Sequence, residues 1–300
     1  MVYILDTQPT ETLSLAEYVE YVENNVDPAD IDSLEEHAWA LRALANNRTF
    51  VLDEYHNELK ACWSGVSVNE NSPQSIVLAR TRDFLIRSNI WVPVPESSVH
   101  TDFERSYFAY DLAHDHNFSF VSVGYFGPGY ETDLFEYDYA TVQGYEGEPV
   151  DLVECGRHQL KPGRVMVYRS GKDVHIQFPP DQVSVSLNLM CRSEDTRTAQ
   201  QYIFDVQNKT ISRGAGDIAS TRLFLIDIFR TLHDDNTVDL LYQTVCHHRC
   251  TRTQAFALNV LGEIRPAELE KFLSSAKSDA LKLSTLPLVY GSGGRDYSGA

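Results

Sequence analysis

The chain has 300 residues, of which 43% are hydrophobic, enough to fill the core of one large domain or of two modest ones. Its formal net charge is −18, and because so acidic a surface repels polyanions, we expect no nucleic-acid partner and no binding to anionic membranes. The sequence shows no membrane-length apolar run and no secretory signal, and its five scattered cysteines suit a reducing compartment, so we expect a cytoplasmic protein.

The first 82 residues predict a helical segment. Apolar residues recur at helical spacing behind Thr12 or Ser14, and again behind Asp30, each a good N-cap residue. From Phe84 to Val92 the pattern alternates like a strand, and Pro93 then ends it. We therefore expect a β-domain from residue 83, with the helical segment 1–82 packed on it.

The tripeptide His114-Asp115-His116 marks the centre of this β-domain. Its flanks, 106–110 and 118–123, predict strand, and on a strand residues i and i+2 lie on the same face. His114 and His116 therefore share a face with Phe118 and Phe120. Two imidazoles directed into one space predict part of a metal site.

A second block supplies a third histidine. A strand over 164–168 precedes a tight turn at Ser170-Gly171, and a new strand opens on His175. The two blocks resemble the two motifs of the cupin superfamily, which are His-x-His and a Gly, five residues, Pro-x-Gly and a later His. Arg169 stands where that second motif has Pro. The resemblance implies an α+β fold with a cupin-type double-stranded β-helix, a small β-barrel, in which His114, His116 and His175 bind one metal ion.

Within the cupins, the chain is similar to the thiol dioxygenases of the cysteine dioxygenase type. That resemblance implies Fe(II) held by three neutral histidines, with open positions for substrate and O2; Zn, Mn, Ni or Cu are the alternative metals. The chain departs from the family at Val121 and Met190. The family often has a Cys and a Tyr at the matching positions, joined by a crosslink, and no such crosslink can form here. The residues that carry the resemblance are His114-Asp115-His116, Gly127, Glu131-Thr132, Phe135 and the strand 185–189.

Three residues are predicted to contact a substrate. In thiol dioxygenases an Arg ahead of His-x-His binds the substrate carboxylate; Arg87 stands at a comparable distance, and Arg105 is a weaker competitor. Tyr125 lies in a Gly- and Pro-rich turn near the expected barrel mouth, where it would stack on a substrate or plug the end of the barrel. Tyr168, on the strand before His175, is the third.

A different ligand set is also open. His100 and Asp102 with His175 satisfy the facial triad of 2-oxoglutarate-dependent Fe(II) oxygenases, which share the double-stranded β-helix. Against this, His100 follows a loop-like stretch, and no clear Arg follows His175 at the spacing that would hold 2-oxoglutarate. A zinc site at Cys246-His247-His248-Arg249-Cys250 has no second ligand pair nearby.

The C-terminal third returns to a helical period. A hairpin over 202–212 ends the β-domain near residue 213, a helical segment follows over 214–290, and the Gly/Ser-rich residues 291–300 form a flexible tail. The stretch Arg252 to Ile264 resembles one HEAT-like helical hairpin. Because one such hairpin cannot bury its apolar face alone, it must pack on the β-domain, on the N-terminal helices or on another subunit, which leaves a homo-oligomer open.

Taken together, the sequence favours a non-haem Fe(II)-dependent oxygenase that acts on a small molecule with O2, with Arg87 as anchor for an anionic group such as a carboxylate. The alternatives are the 2-oxoglutarate-dependent enzyme, a non-redox metal-binding cupin that uses Zn or Mn, and a protein-interaction scaffold in which the barrel is inert.

Overall fold

A computed structural model describes residues 2–65, 72, 74–94, 105–193, 198–215, 218–248, 250–267 and 269. Contacts divide the chain into two compact units, Met1–Asp138 with Leu152–Thr196, and Tyr139–Asp151 with Arg197–Ala300. This division groups the chain differently from the predicted segments. The N-terminal helices share a unit with the barrel, and the last hairpin shares one with the C-terminal helices.

The described residues of the first unit form nine strands in two antiparallel sheets. The strands are β1 (Tyr3–Leu5), β2 (Ser75–Arg80), β3 (Phe84–Trp91), β4 (Phe120–Phe126), β5 (Glu131–Glu136), β6 (Val153–Gln159), β7 (Val165–Tyr168), β8 (Asp173–Gln177) and β9 (Ser184–Cys191). The large sheet has the order β1-β7-β4-β9-β3-β2, and the small sheet has the order β6-β5-β8. An isolated bridge from His114 to His175 adds the His114 segment beside β8.

The chain alternates between the two sheets. From β3 in the large sheet it passes through the His114 segment beside the small sheet, returns to the large sheet in β4, and crosses again to β5. After β6 the same alternation recurs through β7, β8 and β9. This is the strand order of a cupin-type double-stranded β-helix, so the α+β fold prediction is confirmed.

Two apolar cores lie on opposite faces of the large sheet. Between the sheets, Phe120, Met166 and Tyr168 pack with Tyr130 and Leu134 from the small sheet. The outer face packs against four helices through residues such as Leu41 and Val121. Those helices are α1 (Leu15–Asn25), α2 (Ile31–Glu36), α3 (Trp39–Asn46) and α4 (Phe50–Trp63).

The first two helices begin at the residues that the sequence indicates. Ser14 and Glu17 form a reciprocal capping box at α1, and the Asp30 side chain accepts a hydrogen bond from the Asp32 N–H at α2. Each cap satisfies backbone N–H groups that would otherwise have no partner within the helix.

The described part of the second unit holds a β-hairpin and three helices. The hairpin, β10 (Tyr202–Asp205) with β11 (Thr210–Gly214), confirms the one predicted over 202–212. The helices α5 (Ile218–Ile228), α6 (Asp235–His247) and α7 (Thr251–Ile264) share an apolar core that includes Leu223, Leu241 and Phe256. Within the described ranges, no helix is both long and apolar enough to cross a membrane.

The strand prediction around His114 is wrong in its limits. Residues 105–107 form a helical turn, Ala109 and Asp111 have positive φ angles of 52° and 59°, and β4 begins only at Phe120. Apolar and polar residues alternate there as they would in a strand. The backbone is nevertheless irregular, and it pairs with β8 only through isolated bridges from Tyr110 to Gln177 and from His114 to His175.

Gly129 in the turn between β4 and β5 is a position where we expect a large effect on stability. Its φ angle is +85°, and an added Cβ would lie 2.0 Å from the Leu160 carbonyl oxygen. Gly65 has a similar φ angle of +66° but has nothing within 4 Å. Gly65→Ala therefore measures only the cost of a positive φ angle, about 1 kcal/mol of unfolding free energy. Gly129→Ala adds the steric clash and should lower the unfolding free energy by about 3 kcal/mol or more. Urea unfolding of both variants measures the difference, and equal losses would contradict the close packing described.

Candidate metal centre

Backbone pairing brings the three predicted ligands together. The His114 N–H donates to the His175 carbonyl oxygen at 3.1 Å, and the His175 N–H donates to that of His114 at 3.0 Å. Residues in such a reciprocal antiparallel pair lie directly opposite each other, so both side chains project into the same space. His116 follows two residues after His114, and its ring centroid lies 5.0 Å from that of His114 and 5.1 Å from that of His175.

The side-chain nitrogens have the spacing of a ligand set. One nitrogen from each of His114, His116 and His175 lies within 4.8 Å of the other two. The Nε2 atoms of His114 and His175 are 3.0 Å apart. Two imidazole nitrogens bound at about 2.1 Å and at right angles to one another would also be about 3.0 Å apart. The three side chains therefore fit a single transition-metal ion.

Local hydrogen bonding and burial prepare these nitrogens to bind a metal. The Nδ1 of His114 lies 2.8 Å from the Leu112 carbonyl oxygen, which can only accept, so Nδ1 carries the proton and Nε2 is left with its lone pair. Burial lowers the pKa of His114, and burial together with the neighbouring His114 and His116 holds the pKa of His175 well below its usual range. The Nδ1 of His175 is buried and has no hydrogen-bond partner among the described residues.

These lowered pKa values predict a pH-dependent stability for the metal-free protein. Below pH 6.5 the unfolded chain protonates His114 and His175, whereas the folded chain does not, so the unfolded state binds more protons. Stability should thus be complete above pH 6.5 and should fall as the pH falls below it, by up to about 1.4 kcal/mol per pH unit for each histidine.

Urea unfolding of chelator-treated protein between pH 5 and pH 7.5 measures this slope. His175→Gln should flatten it, and the same change at the exposed His56 on α4 should not. Equal slopes in the wild type and in both variants would contradict the burial of neutral imidazoles.

Asp115 holds the backbone between the two histidines. It is buried, and the Tyr137 hydroxyl donates to its Oδ2 at 2.6 Å. Since a buried carboxylate that receives a hydrogen bond resists displacement, this contact fixes the turn from which His114 and His116 project.

Aromatic rings enclose the histidines. His116 stacks on Phe118 at 4.6 Å between centroids, and Phe120 lies 5.1 Å from His116 and 5.9 Å from His175. Tyr168 stacks on Phe120 at 4.3 Å and lies 5.1 Å from His175, and its hydroxyl donates to Met166 Sδ at 3.4 Å. These rings keep water from the histidine nitrogens, and they place Tyr168 beside His175, while its contact with a substrate stays a prediction.

The large sheet presents its inner face in rows across the strands. The first row consists of Leu85, Met190, Phe120 and Tyr168, of which Phe120 and Tyr168 contact the histidines. The second row, two residues further along each strand, consists of Arg87, Asn188, Ser122 and Met166. Because side chains alternate between faces, both rows face the barrel interior. The rows are about 7 Å apart, twice the rise per residue of a strand.

Arg87 is in the second row without a counterion. Its Nε is buried and has no hydrogen-bond partner, and no ion pair involves it in the part of the chain that the structure describes. Burial lowers the pKa of Arg87 to about 10, while the nearby Tyr130 acts in the opposite direction. Arg87 is therefore a cation that faces the barrel interior, whereas Arg105 pairs with Asp111.

The other predicted residues have different positions. Tyr125 packs on Phe50 in the core beside the helices, and its hydroxyl donates to the Asn47 carbonyl oxygen at 3.0 Å, which corrects the prediction that it contacts a substrate. By alternation along β4, Tyr125 shares its face with Val121 and Val123, which pack in the same core. His100 and Asp102 lie outside the described residues. Among those described, the three histidines form the one potential metal-binding group, and neither Cys246 nor Cys250 takes part in another.

Asn188 and Ser122 are residues of the barrel interior that the sequence motifs did not reveal. The signal was present, because Ser184, Ser186 and Asn188 alternate with apolar residues along β9. A polar residue at every second position of an otherwise apolar strand predicts a polar inner face. All three β9 residues are buried.

Comparisons with known proteins find only distant structural similarity. No family model and no curated protein sequence matches the chain. Among solved structures, hydroquinone 1,2-dioxygenase from Sphingomonas sp. TTNP3 is 11% identical, over 43% of this chain and 71% of that chain, with a TM-score of 0.28. A cupin-superfamily sugar phosphate isomerase from Silicibacter pomeroyi is 15% identical, over 48% of this chain and 77% of that chain, with a TM-score of 0.25.

A cupin domain from Bordetella pertussis is also 15% identical, over 42% of this chain and 100% of that chain, with a TM-score of 0.23. The three neighbours differ in what they are described to do. Neither an activity nor a substrate is transferred from them to this chain.

Proposed function

We propose that this protein is a non-haem Fe(II)-dependent oxygenase that acts on a small molecule bearing a carboxylate. The observation that carries the proposal is the convergence of His114, His116 and His175, with 3.0 Å between two of their Nε2 atoms, inside a barrel walled by aromatic rings. Three neutral ligands leave about three positions of a six-coordinate ion open, which suits the joint binding of substrate and O2.

The protein side chains have distinct tasks in this proposal. Iron, when bound, supplies the activation of O2. His114 and His175 hold their ligand nitrogens unprotonated, through the Leu112 contact and through burial. Phe120 and Tyr168 exclude water, which protects reactive species from side reactions.

Arg87 would bind and orient the substrate. A guanidinium presents a planar fork of donors that matches a carboxylate, and Arg87 has no such partner within the described chain. With the carboxylate held in the second row, the other end of a short molecule reaches the histidines. Holding the substrate in one orientation lowers the entropic cost of bringing its reacting atoms together at the metal.

Metal identity and open coordination can be tested before any substrate is known. Protein purified without oxygen should contain close to one iron per chain by mass spectrometry. Nitric oxide, which binds Fe(II) as O2 does, should give the electron paramagnetic resonance signal of a ferrous nitrosyl. His114→Ala should lose both the iron and the signal, and the His56→Ala control should keep both.

Other outcomes would point to other functions. Stoichiometric zinc, with no nitrosyl signal after reconstitution with iron, would contradict the oxygenase and favour a non-redox cupin. No bound metal, and no change on His114→Ala, would favour an interaction scaffold.

The 2-oxoglutarate-dependent alternative has its own test. The observed neighbour of His175 Nε2 is His114, which favours the three-histidine set. Oxygen consumption should therefore be independent of added 2-oxoglutarate, and Asp102→Ala should keep its iron. Loss of iron in Asp102→Ala with retention in His114→Ala would instead establish the facial triad.

A further inference from the structure

Asn188 has an unused hydrogen-bond donor inside the barrel. Its side chain is 3% exposed, and its Nδ2 is buried with no hydrogen-bond partner within the described ranges. Leaving a buried amide unpaired is costly, so native proteins pair nearly all such groups. A donor left free in this way points to a partner that is not part of the chain.

Ser122 fixes the orientation of this amide. Its hydroxyl donates to the Asn188 Oδ1, and the two residues are register partners on β4 and β9. With the oxygen of the amide engaged, the nitrogen is the atom that is presented to the interior. Ser122 is itself buried, so solvent does not compete for this contact.

Arg87 is the register partner of Asn188 on the other side. Directly opposed residues on antiparallel strands have Cβ atoms roughly 5 Å apart, so the two unpaired donors are neighbours. Both belong to the second row, about 7 Å along the strands from the first row that touches the histidines. One group with two acceptor oxygens can meet both donors.

We propose that Asn188 is a specificity-determining residue, which together with Arg87 binds the carboxylate of a short substrate whose other end reaches the metal. The proposal rests on the proposed function of the three-histidine site, which it deepens. It narrows the substrate class to molecules that carry a carboxylate and, at the other end, a group that can bind the metal. A neutral group at that end would leave Arg87 without a counterion.

A pair of probes tests this directly. We choose 3-mercaptopropionate and 1-propanethiol, which share the thiol and differ in the carboxylate. Binding to the Co(II)-loaded protein is followed by the thiolate-to-cobalt absorption. The wild type should bind 3-mercaptopropionate at least thirtyfold more tightly than 1-propanethiol.

The variants separate Asn188 from the rest of the barrel. Asn188→Leu should reduce the preference for the carboxylate about tenfold, with affinity for 1-propanethiol unchanged. Asn188→Asp should abolish the preference, because it places a second carboxylate beside Arg87. Asn89→Leu is the matched control, since Asn89 is a buried asparagine on the same face of β3 as Arg87, and its Nδ2, unlike that of Asn188, is not among the buried atoms without a hydrogen-bond partner in the described residues. It should keep the wild-type preference.

Metal content, measured on the same samples, distinguishes failure of the proposed function from failure of the proposed role of Asn188. Wild-type protein that takes up no metal would refute the proposed function. Protein that is fully loaded, and whose Asn188→Leu and Asn188→Asp variants keep the wild-type preference, would refute the role of Asn188 alone.

Discussion

His175→Ala is expected to lower the affinity for metal by at least about a hundredfold. Changes to residues that merely orient metal ligands already cost about ten- to a hundredfold, and in the proposed site His175 would itself be a ligand, with its Nε2 3.0 Å from that of His114. His175 is also the register partner of Leu134 in the middle of the small sheet, so the variant must be shown to fold. Competition with a chromophoric chelator measures the affinity, and circular dichroism verifies the fold.

The control for this variant is His56→Ala, an exposed histidine on α4. It should bind metal as the wild type does. A folded His175→Ala protein with wild-type affinity would show that metal binds elsewhere.

Arg87→Met is expected to have opposite effects on stability and on ligand binding. Burial lowers the pKa of Arg87 to about 10, which shows that the folded state disfavours this cation. A flexible apolar side chain of similar length removes that penalty, so we expect a gain of about 1–3 kcal/mol in the free energy of unfolding. The same change should weaken 3-mercaptopropionate binding at least thirtyfold, because the charged partner of the carboxylate is lost.

Arg157→Met is the matched control. Arg157 is on the surface of the small sheet, where it donates to Asp133 at 2.6 and 2.8 Å. Its loss should leave ligand binding unchanged and should change the stability by no more than about 1 kcal/mol. An Arg87→Met protein that is less stable than the wild type, yet binds the probe equally well, would assign Arg87 a structural role.

The sequence predicted the fold and the convergence of the three histidines because both depend on local patterns. Capping residues such as Ser14 and Asp30 mark helix starts, alternation marks β3 and β9, and the spacing of His114, His116 and His175 follows from the two motifs. Each signal lies within a few residues along the chain.

What could not be predicted depends on contacts across strands. Tyr125 shares a face of β4 with Val121 and Val123, and only the tertiary packing shows that the helices, including Phe50, cover this face. The row of Arg87, Asn188 and Ser122 exists only through the register of three strands, which are far apart in sequence. The irregular backbone before β4 could not be predicted either, because apolar and polar residues alternate in this segment as they do in a strand.

The most direct test of the three-histidine site is a crystal structure of the protein purified without oxygen, with the metal located by anomalous scattering. We expect one metal ion at about 2.1 Å from a nitrogen of each of His114, His116 and His175. A metal bound by His175 with His100 and Asp102, or the three rings joined to one another by hydrogen bonds with no metal between them, would contradict it.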